Sequence, residues 1–108
     1  MSGGTVQEVN AAEFDQIVST AKVPVVADFW APWCGPCRMV GPVLEKLAAD
    51  HPDTVSVLKV NVDENAELAA RFAVMSIPTV ILFSGGKLQK QLVGARSQKD
   101  YETEFGLS

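Results

Sequence analysis

The stretch that most limits how this chain can fold is Lys22 to Phe29. It is nearly continuous in apolar residues (Val23-Pro24-Val25-Val26-Ala27), and Phe29-Trp30 close it. A run of this length and composition suits a central strand buried on both faces. A helical pattern beginning Arg38-Met39-Val40 follows a few residues later, with Val40, Val43, Leu44, Leu47 and Ala48 on one stripe. The handover between strand and helix holds Trp33-Cys34-Gly35-Pro36-Cys37, and these are the chain's only two cysteines. Residues three apart share a helix face, so both sulfurs fall within bonding reach. The first helical turn offers unpaired N–H groups and the positive end of the helix dipole. A thiolate is favoured there, so the thiol of Cys34 should have its pKa lowered by roughly one unit or more. Pro36 lacks a donor where the first turn needs none.

The rest of the chain repeats the alternation. Residues 1–4 read as a loose start and Thr5 to Val9 as a short strand. Asn10 with Glu13 forms a capping pair ahead of Phe14, Ile17, Val18 and Ala21, which recur with helical spacing. The second helix is expected from about Cys34 to Asp50, bent at Pro42. Thr54 to Val62 reads as a second buried strand. Asn65 to Phe72 reads as a short helix, with Leu68 and Phe72 inward and Glu67–Arg71 as an exposed i, i+4 pair. Pro78 to Phe83 is a strand, Gly85-Gly86 a tight turn, and Lys87 to Val93 a more polar returning edge strand. Ser97 and Asp100 cap a last helix with Tyr101 and Phe105 on one face, ended by Gly106. Strands alternating with helices in the order βαβαβαββα predict an α/β fold. Its sheet is largely parallel and covered on both faces, with a terminal hairpin adding antiparallel strands. At 108 residues and 47% hydrophobic content the chain suits one domain, residues 1–108.

Charge and composition exclude several classes. With 13 acidic against 9 basic residues the net charge is −4, which opposes nucleic acid or anionic membrane as a partner. No apolar run approaches the roughly 20 residues of a membrane span. The opening Met1-Ser-Gly-Gly-Thr-Val-Gln-Glu lacks a basic start and an apolar core, which points to a cytoplasmic protein. Two close cysteines in such a chain serve redox catalysis or a metal rather than a disulfide framework. A zinc site needs four ligands. Only His51 is on offer besides, placed by the pattern on the surface at the far end of the second helix, so a metal would need a dimer and none is expected. Two inert structural thiols are the remaining alternative.

Asp28 is the second unusual residue. It is the only charge between Lys22 and Arg38 and interrupts an otherwise buried strand. An uncompensated carboxylate there has its pKa raised and becomes a usable general acid or base. Lys59, alone in its own apolar strand, is a candidate partner; the alternative is that Asp28 ends the strand and faces water. Ile77-Pro78 starts a strand, and most X–Pro bonds are trans. Trp30 and Gly94-Ala95 suit plain core and turn, whereas Trp33 abuts the cysteines, where it either shields the sulfurs or touches a partner.

Taken together, Asp28 followed by Phe29-Trp30-Ala31-Pro32-Trp33-Cys34-Gly35-Pro36-Cys37 resembles the thioredoxin family almost letter for letter. The likeness continues through Pro42, Lys59-Val60-Asn61-Val62-Asp63, Ser76-Ile77-Pro78-Thr79, Gly86 and Val93-Gly94-Ala95, over about residues 5–105. It implies a thioredoxin fold, a central mixed sheet of about five strands flanked by about four helices. It implies that Cys34 is the exposed nucleophile, that Cys37 is the buried resolving thiol, and that Asp28 helps deprotonate Cys37. It implies a kink at Pro42 and a cis Ile77–Pro78 bond lying against the cysteines. Trp33, Gly35, Pro36, Ile77, Pro78, Gly94 and Ala95 would form the apolar surface that meets protein substrates, with Trp30, Pro42 and Lys59 in support. The implied activity is protein-disulfide reduction by a monomer that needs no bound cofactor and is recycled by a separate thioredoxin reductase. Arg38 stands where the family also carries Lys. The fold also hosts disulfide oxidases, isomerases and non-catalytic binding subunits. Gly-Pro between the cysteines favours a reductant, and the intact cysteines with Asp28 and Ile77-Pro78 favour catalysis.

Overall fold

The structure, a computed structural model, describes residues 4–107. The loose start expected for residues 1–4 therefore lies outside it save for Gly4. The elements are β1 (Val6–Glu8), α1 (Ala11–Thr20), β2 (Val25–Trp30), α2 (Gly35–Asp50), β3 (Ser56–Asn61), α3 (Ala66–Arg71), β4 (Thr79–Ser84), β5 (Lys87–Val93) and α4 (Gln98–Phe105). This is the expected order; β1 and β3 are trimmed at their ends by a residue or two, β2 starts three residues later than expected and ends one later, at Trp30, and β4 is shifted by one residue.

The five strands form one sheet in the order β1-β3-β2-β4-β5, with the apolar run at its centre. β1 and β2 both run parallel to β3, whereas β4 is antiparallel to β2 and to β5. Side chains along a strand alternate between faces, and β2 shows why both of its faces must be apolar. Val25, Ala27 and Phe29 pack with Phe14, Val18 and Leu68 from α1 and α3. Val26 packs on the other face with Val40, Leu44, Leu47, Tyr101 and Phe105 from α2 and α4. Asp28 and Trp30 share the parity of Val26, so the sheet geometry points them toward the α2 side.

Local chemistry sets the element ends. Asn10 and Glu13 form a reciprocal capping box, each side chain 2.9 Å from the other's backbone nitrogen. Gly85 and Gly86 hold φ of 62° and 79°, as a two-residue hairpin turn with both central residues left-handed requires. Ser97 caps α4 and Gly106, at φ 70°, ends it. β5 is an edge strand, as its polarity predicted.

Two expectations need correcting. Arg71 does not pair with Glu67; its Nη1 lies 2.7 Å from Oδ1 of Asp15 on α1, because the helices α1 and α3, packed on the same face of the sheet, bring a carboxylate from across the chain within reach. His51 is not a surface residue: α4 folds over the end of α2, leaving His51 7% exposed with Nε2 2.8 Å from Oε2 of Glu102.

Candidate active site

Where β2 leaves the sheet, the chain turns through Ala31-Pro32-Trp33 and the Cys34 N–H closes the turn on the Ala31 carbonyl at 3.1 Å. Cys34 is extended (φ −88°, ψ 111°) and is the N-cap of α2 rather than its first residue. Its sulfur accepts a hydrogen bond from the Cys37 N–H at 3.2 Å, taking the place an oxygen fills in an ordinary cap. Cys34 and Cys37 are joined as a disulfide with their Cα atoms 5.3 Å apart. They pack with Ala31, Trp30, Val62 and Ile77. The contrast between an exposed Cys34 and a buried Cys37 is absent here. The two are 4% and 5% exposed, because bonding draws both sulfurs into one compact group on the helix tip. The intervening Gly35 and Pro36 are exposed. α2 continues from there to Asp50 with Pro42 inside it.

The frame around the disulfide comes from five separate segments. Trp33, 68% exposed, is held by its indole N–H, which donates to Oδ2 of Asp63 at 3.0 Å and Oδ1 at 3.3 Å. Arg38 donates to the Pro32 carbonyl at 3.2 Å. Ile77–Pro78 is cis, with Ile77 against the cysteines and Pro78 buried. The Gly94 N–H donates to the Pro78 carbonyl at 2.8 Å, and the Gly94 carbonyl accepts from the Tyr101 hydroxyl at 3.3 Å. Tyr101 is fully buried and its pKa is pushed up to about 12, chiefly by burial, so the hydroxyl stays a donor. Gly94 itself has φ 94°, a conformation that a side chain at this position would strain.

An apolar groove opens beside the disulfide. Trp33, Val62, Val74, Met75 and Ile77 line most of it. Gly94 and Ala95 do not reach this groove; Gly94 is bonded to Pro78, and Ala95 sits by Arg96, Ser97 and Lys99. Reading the sequence found Trp33 and Ile77 but missed Val74, Met75, Asp63 and Tyr101. The one signal for the groove was an apolar Val74-Met75 pair outside any periodic segment, directly ahead of Ser76-Ile77-Pro78.

Asp28 is 2% exposed and its Oδ1 has no hydrogen-bond partner. Desolvation pushes its pKa up to about 7, against a smaller downward pull from Lys59. Lys59 is its cross-strand neighbour in the β2–β3 register, yet its ammonium lies 4.2 Å above the centroid of the Trp30 ring rather than on the carboxylate. The Trp30 indole N–H is likewise buried without a partner. These two orphaned polar groups, two residues apart on one strand face, are the buried side-chain polar atoms left without a partner among the described residues.

Among the described residues no group of three or more His, Cys, Asp or Glu side chains is placed to hold a metal ion, and no helix is long and apolar enough to cross a membrane. A disulfide-bonded cysteine pair at a helix N-terminus can exchange with a thiol brought to it, and its reduced form with a disulfide. Comparison with known proteins points the same way. The family profile described as Thioredoxin matches residues 5–105. A thioredoxin from Alicyclobacillus acidocaldarius is 53% identical over 94 residues, covering 87% of this chain and 89% of that one. A bifunctional thioredoxin reductase/thioredoxin from Mycobacterium leprae is 47% identical over 97 residues, which are 90% of this chain and 21% of that protein. Among solved structures, an asparagine-to-glutamine mutant of thioredoxin from Halobacterium salinarum superposes with a TM-score of 0.88 at 35% identity, covering 96% of this chain and 90% of that one.

Proposed function

The chain belongs to the thioredoxin family and is a thiol–disulfide oxidoreductase that reduces protein disulfides, and from that premise we propose how its residues divide the work. Cys34 is the nucleophile. Its thiolate attacks one sulfur of a partner disulfide, the partner's other sulfur leaves as a thiolate, and a mixed disulfide joins the two proteins. Cys37 then attacks Cys34, releases the partner's second thiol and regenerates the Cys34–Cys37 disulfide; two electrons pass to the partner. The second step is intramolecular and so benefits from an effective concentration on the order of 10⁵ M or more. The observation that carries this reading is the bonded pair capping α2. A thiolate on Cys34 sits at the positive end of the helix and already receives the Cys37 N–H at 3.2 Å.

Asp28 is the base that takes the proton of Cys37. A carboxyl with a pKa near 7 is matched to that task at neutral pH. Trp33, Gly35, Pro36, Ile77, Pro78, Gly94 and Ala95 meet the partner, and Trp30, Pro42 and Lys59 support the site from behind. An extended partner segment pairs with the main chain of Ile77, which takes part in none of the turn, loop or cap backbone hydrogen bonds of the described residues. The electron donor is a separate thioredoxin reductase; the bifunctional relative, whose name joins the two activities, supports that assignment. The protein acts as a monomer in the cytoplasm, with residues 1–108 as one domain.

The test is to arrest the reaction half-way. In Cys37→Ser a disulfide partner stays attached through Cys34, and mass mapping of the adduct locates the bond. Trapping through Cys37 in Cys34→Ser instead reverses the two roles.

A further inference from the structure

Among the described residues, Met39 and Met75 are the two large apolar side chains most open to solvent, 70% and 92% exposed. Their settings differ. Met39 is on α2, two residues past Cys37. Met75 lies between α3 and β4, where it lines the apolar groove with Trp33, Val62, Val74 and Ile77. Trp33 and Ile77 belong both to this groove and to the frame of the disulfide. The cysteines are so little exposed that a partner sulfur reaches them only by laying its own chain on that frame. Consecutive Cα atoms of a partner lie about 3.8 Å apart, so the residue beside its cysteine falls on the groove. An unbranched thioether there adapts to apolar side chains of different shapes.

We propose that Met75 is an oxidation-sensitive docking residue: the groove takes the apolar side chain beside a partner's disulfide cysteine, and a peroxide that converts the Met75 thioether to a sulfoxide closes the groove to that side chain. The inference rests on the reading of Cys34 and its frame given under Proposed function. In the oxidation step the thioether sulfur attacks one peroxide oxygen, the O–O bond breaks and an S–O bond forms. The sulfur loses two electrons, and the other oxygen takes up a proton and departs as water. The sulfoxide is polar, and docking an apolar side chain against it buries an S–O dipole without a hydrogen-bond donor. The sulfoxide at Met75 makes no change to the cysteine pair itself, so this oxidation acts on which partners dock and not on sulfur exchange. Peroxide thereby turns the protein away from partners with apolar residues at the disulfide.

The experiment treats the full chain in its disulfide form, cysteines thus protected, with hydrogen peroxide. Catalase then removes the peroxide, mass mapping locates the added oxygen, and kcat/KM is measured with three substrates. One is a disulfide peptide with leucine beside the cysteine, the second the same peptide with serine there, the third hydroxyethyl disulfide. Oxidation is expected to lower kcat/KM about three- to tenfold for the leucine peptide, through KM. The serine peptide and hydroxyethyl disulfide are expected to change little. Met75→Leu and Met39→Leu are each read against their own untreated sample: Met75→Leu loses the response and Met39→Leu keeps it, and untreated Met75→Gln shows the fall relative to the untreated parent. An equal fall in Met75→Leu, an equal fall with hydroxyethyl disulfide, or no fall with oxygen mapped to Met75 overturns the proposal. A chain that reduces none of the three substrates before treatment overturns the reading of the site itself, and this inference with it.

Discussion

One end of α2 is capped by a sulfur and the other, after 16 helical residues, by His51. At the histidine end the backbone N–H of His51 reaches the Leu47 and Ala48 carbonyls at 3.1 and 3.3 Å, and its ring meets Glu102. Gln98 donates to both Asp50 and Glu102, and Lys46 pairs with Asp50. Lys46, Asp50, His51 and Glu102 each have a partner there. The carboxyls respond accordingly: hydrogen bonds from His51 and then Gln98 hold Glu102 below its ordinary pKa, and those from Gln98 and then Lys46 do the same for Asp50. At the sulfur end the buried carboxyl of Asp28 is left with an unpartnered oxygen and is pushed the other way, up to about 7. The same helix thus has one end where polar groups are satisfied for stability and one where they are kept unsatisfied for reactivity.

The sharpest way to break this contrast is at the sulfur. Cys34→Ser is expected to lower protein-disulfide reduction by on the order of 10³-fold or more, measured by insulin reduction, with the histidine end untouched. Asp28→Asn is expected next. Near neutral pH it should slow turnover by about 10- to 100-fold, while making the protein more stable. Because the folded-state pKa lies above the unfolded value of 3.8, the folded protein holds the proton more tightly between those two values. Stability therefore falls as pH rises from about 4 to about 7, and the full penalty, up to about 4 kcal/mol, stands above that range. Urea unfolding at pH 8 should show the largest gain for Asp28→Asn, shrinking toward pH 4; a gain that does not vary with pH removes Asp28 as the source of strain.

At the other end the signs reverse. Glu102 and Asp50, with depressed pKa values, support the fold at neutral pH, and that support is lost as pH falls through their folded pKa values. His51→Ala is expected to lower the melting temperature by about 5–10 °C while leaving insulin reduction at 25 °C unchanged. A fall in rate as large as the fall in stability shows that the two ends are not separable. The smallest effect is expected from Lys46→Ala. Its ion pair with Asp50 is 68% and 43% exposed, and a thermal melt at physiological salt should not distinguish the variant from the parent.

Much of this molecule was legible in residue order alone, and the readable parts share a property. The capping box of Asn10 and Glu13, the Gly85-Gly86 turn, the central position of the run ending at Trp30 and the cysteine pair at the start of α2 all depend on neighbours a few residues away. Asp28 was legible as a buried acid because a charge inside an apolar strand has few other places to be. Less readable were features joining distant segments. Arg71 finds Asp15 at a separation of 56 residues, and His51 finds Glu102 at 51. The groove was hidden because Val74 and Met75 lie in a loop with no period to betray which way they face.

Local pattern therefore determined the elements, the order in which they follow and the chemistry carried at the start of α2, because helix caps, turns and hydrophobic periods are short-range requirements that the chain meets on its own. Only the folded sheet, in the order β1-β3-β2-β4-β5, decided the rest. It set Ile77 and Val62 against Cys34, turned Lys59 onto Trp30 and away from Asp28, and buried His51 under α4. Those outcomes depend on which surfaces meet after the crossovers close, and apolar burial, which drives the closing, has no direction of its own. Distance in space then overrules distance along the chain.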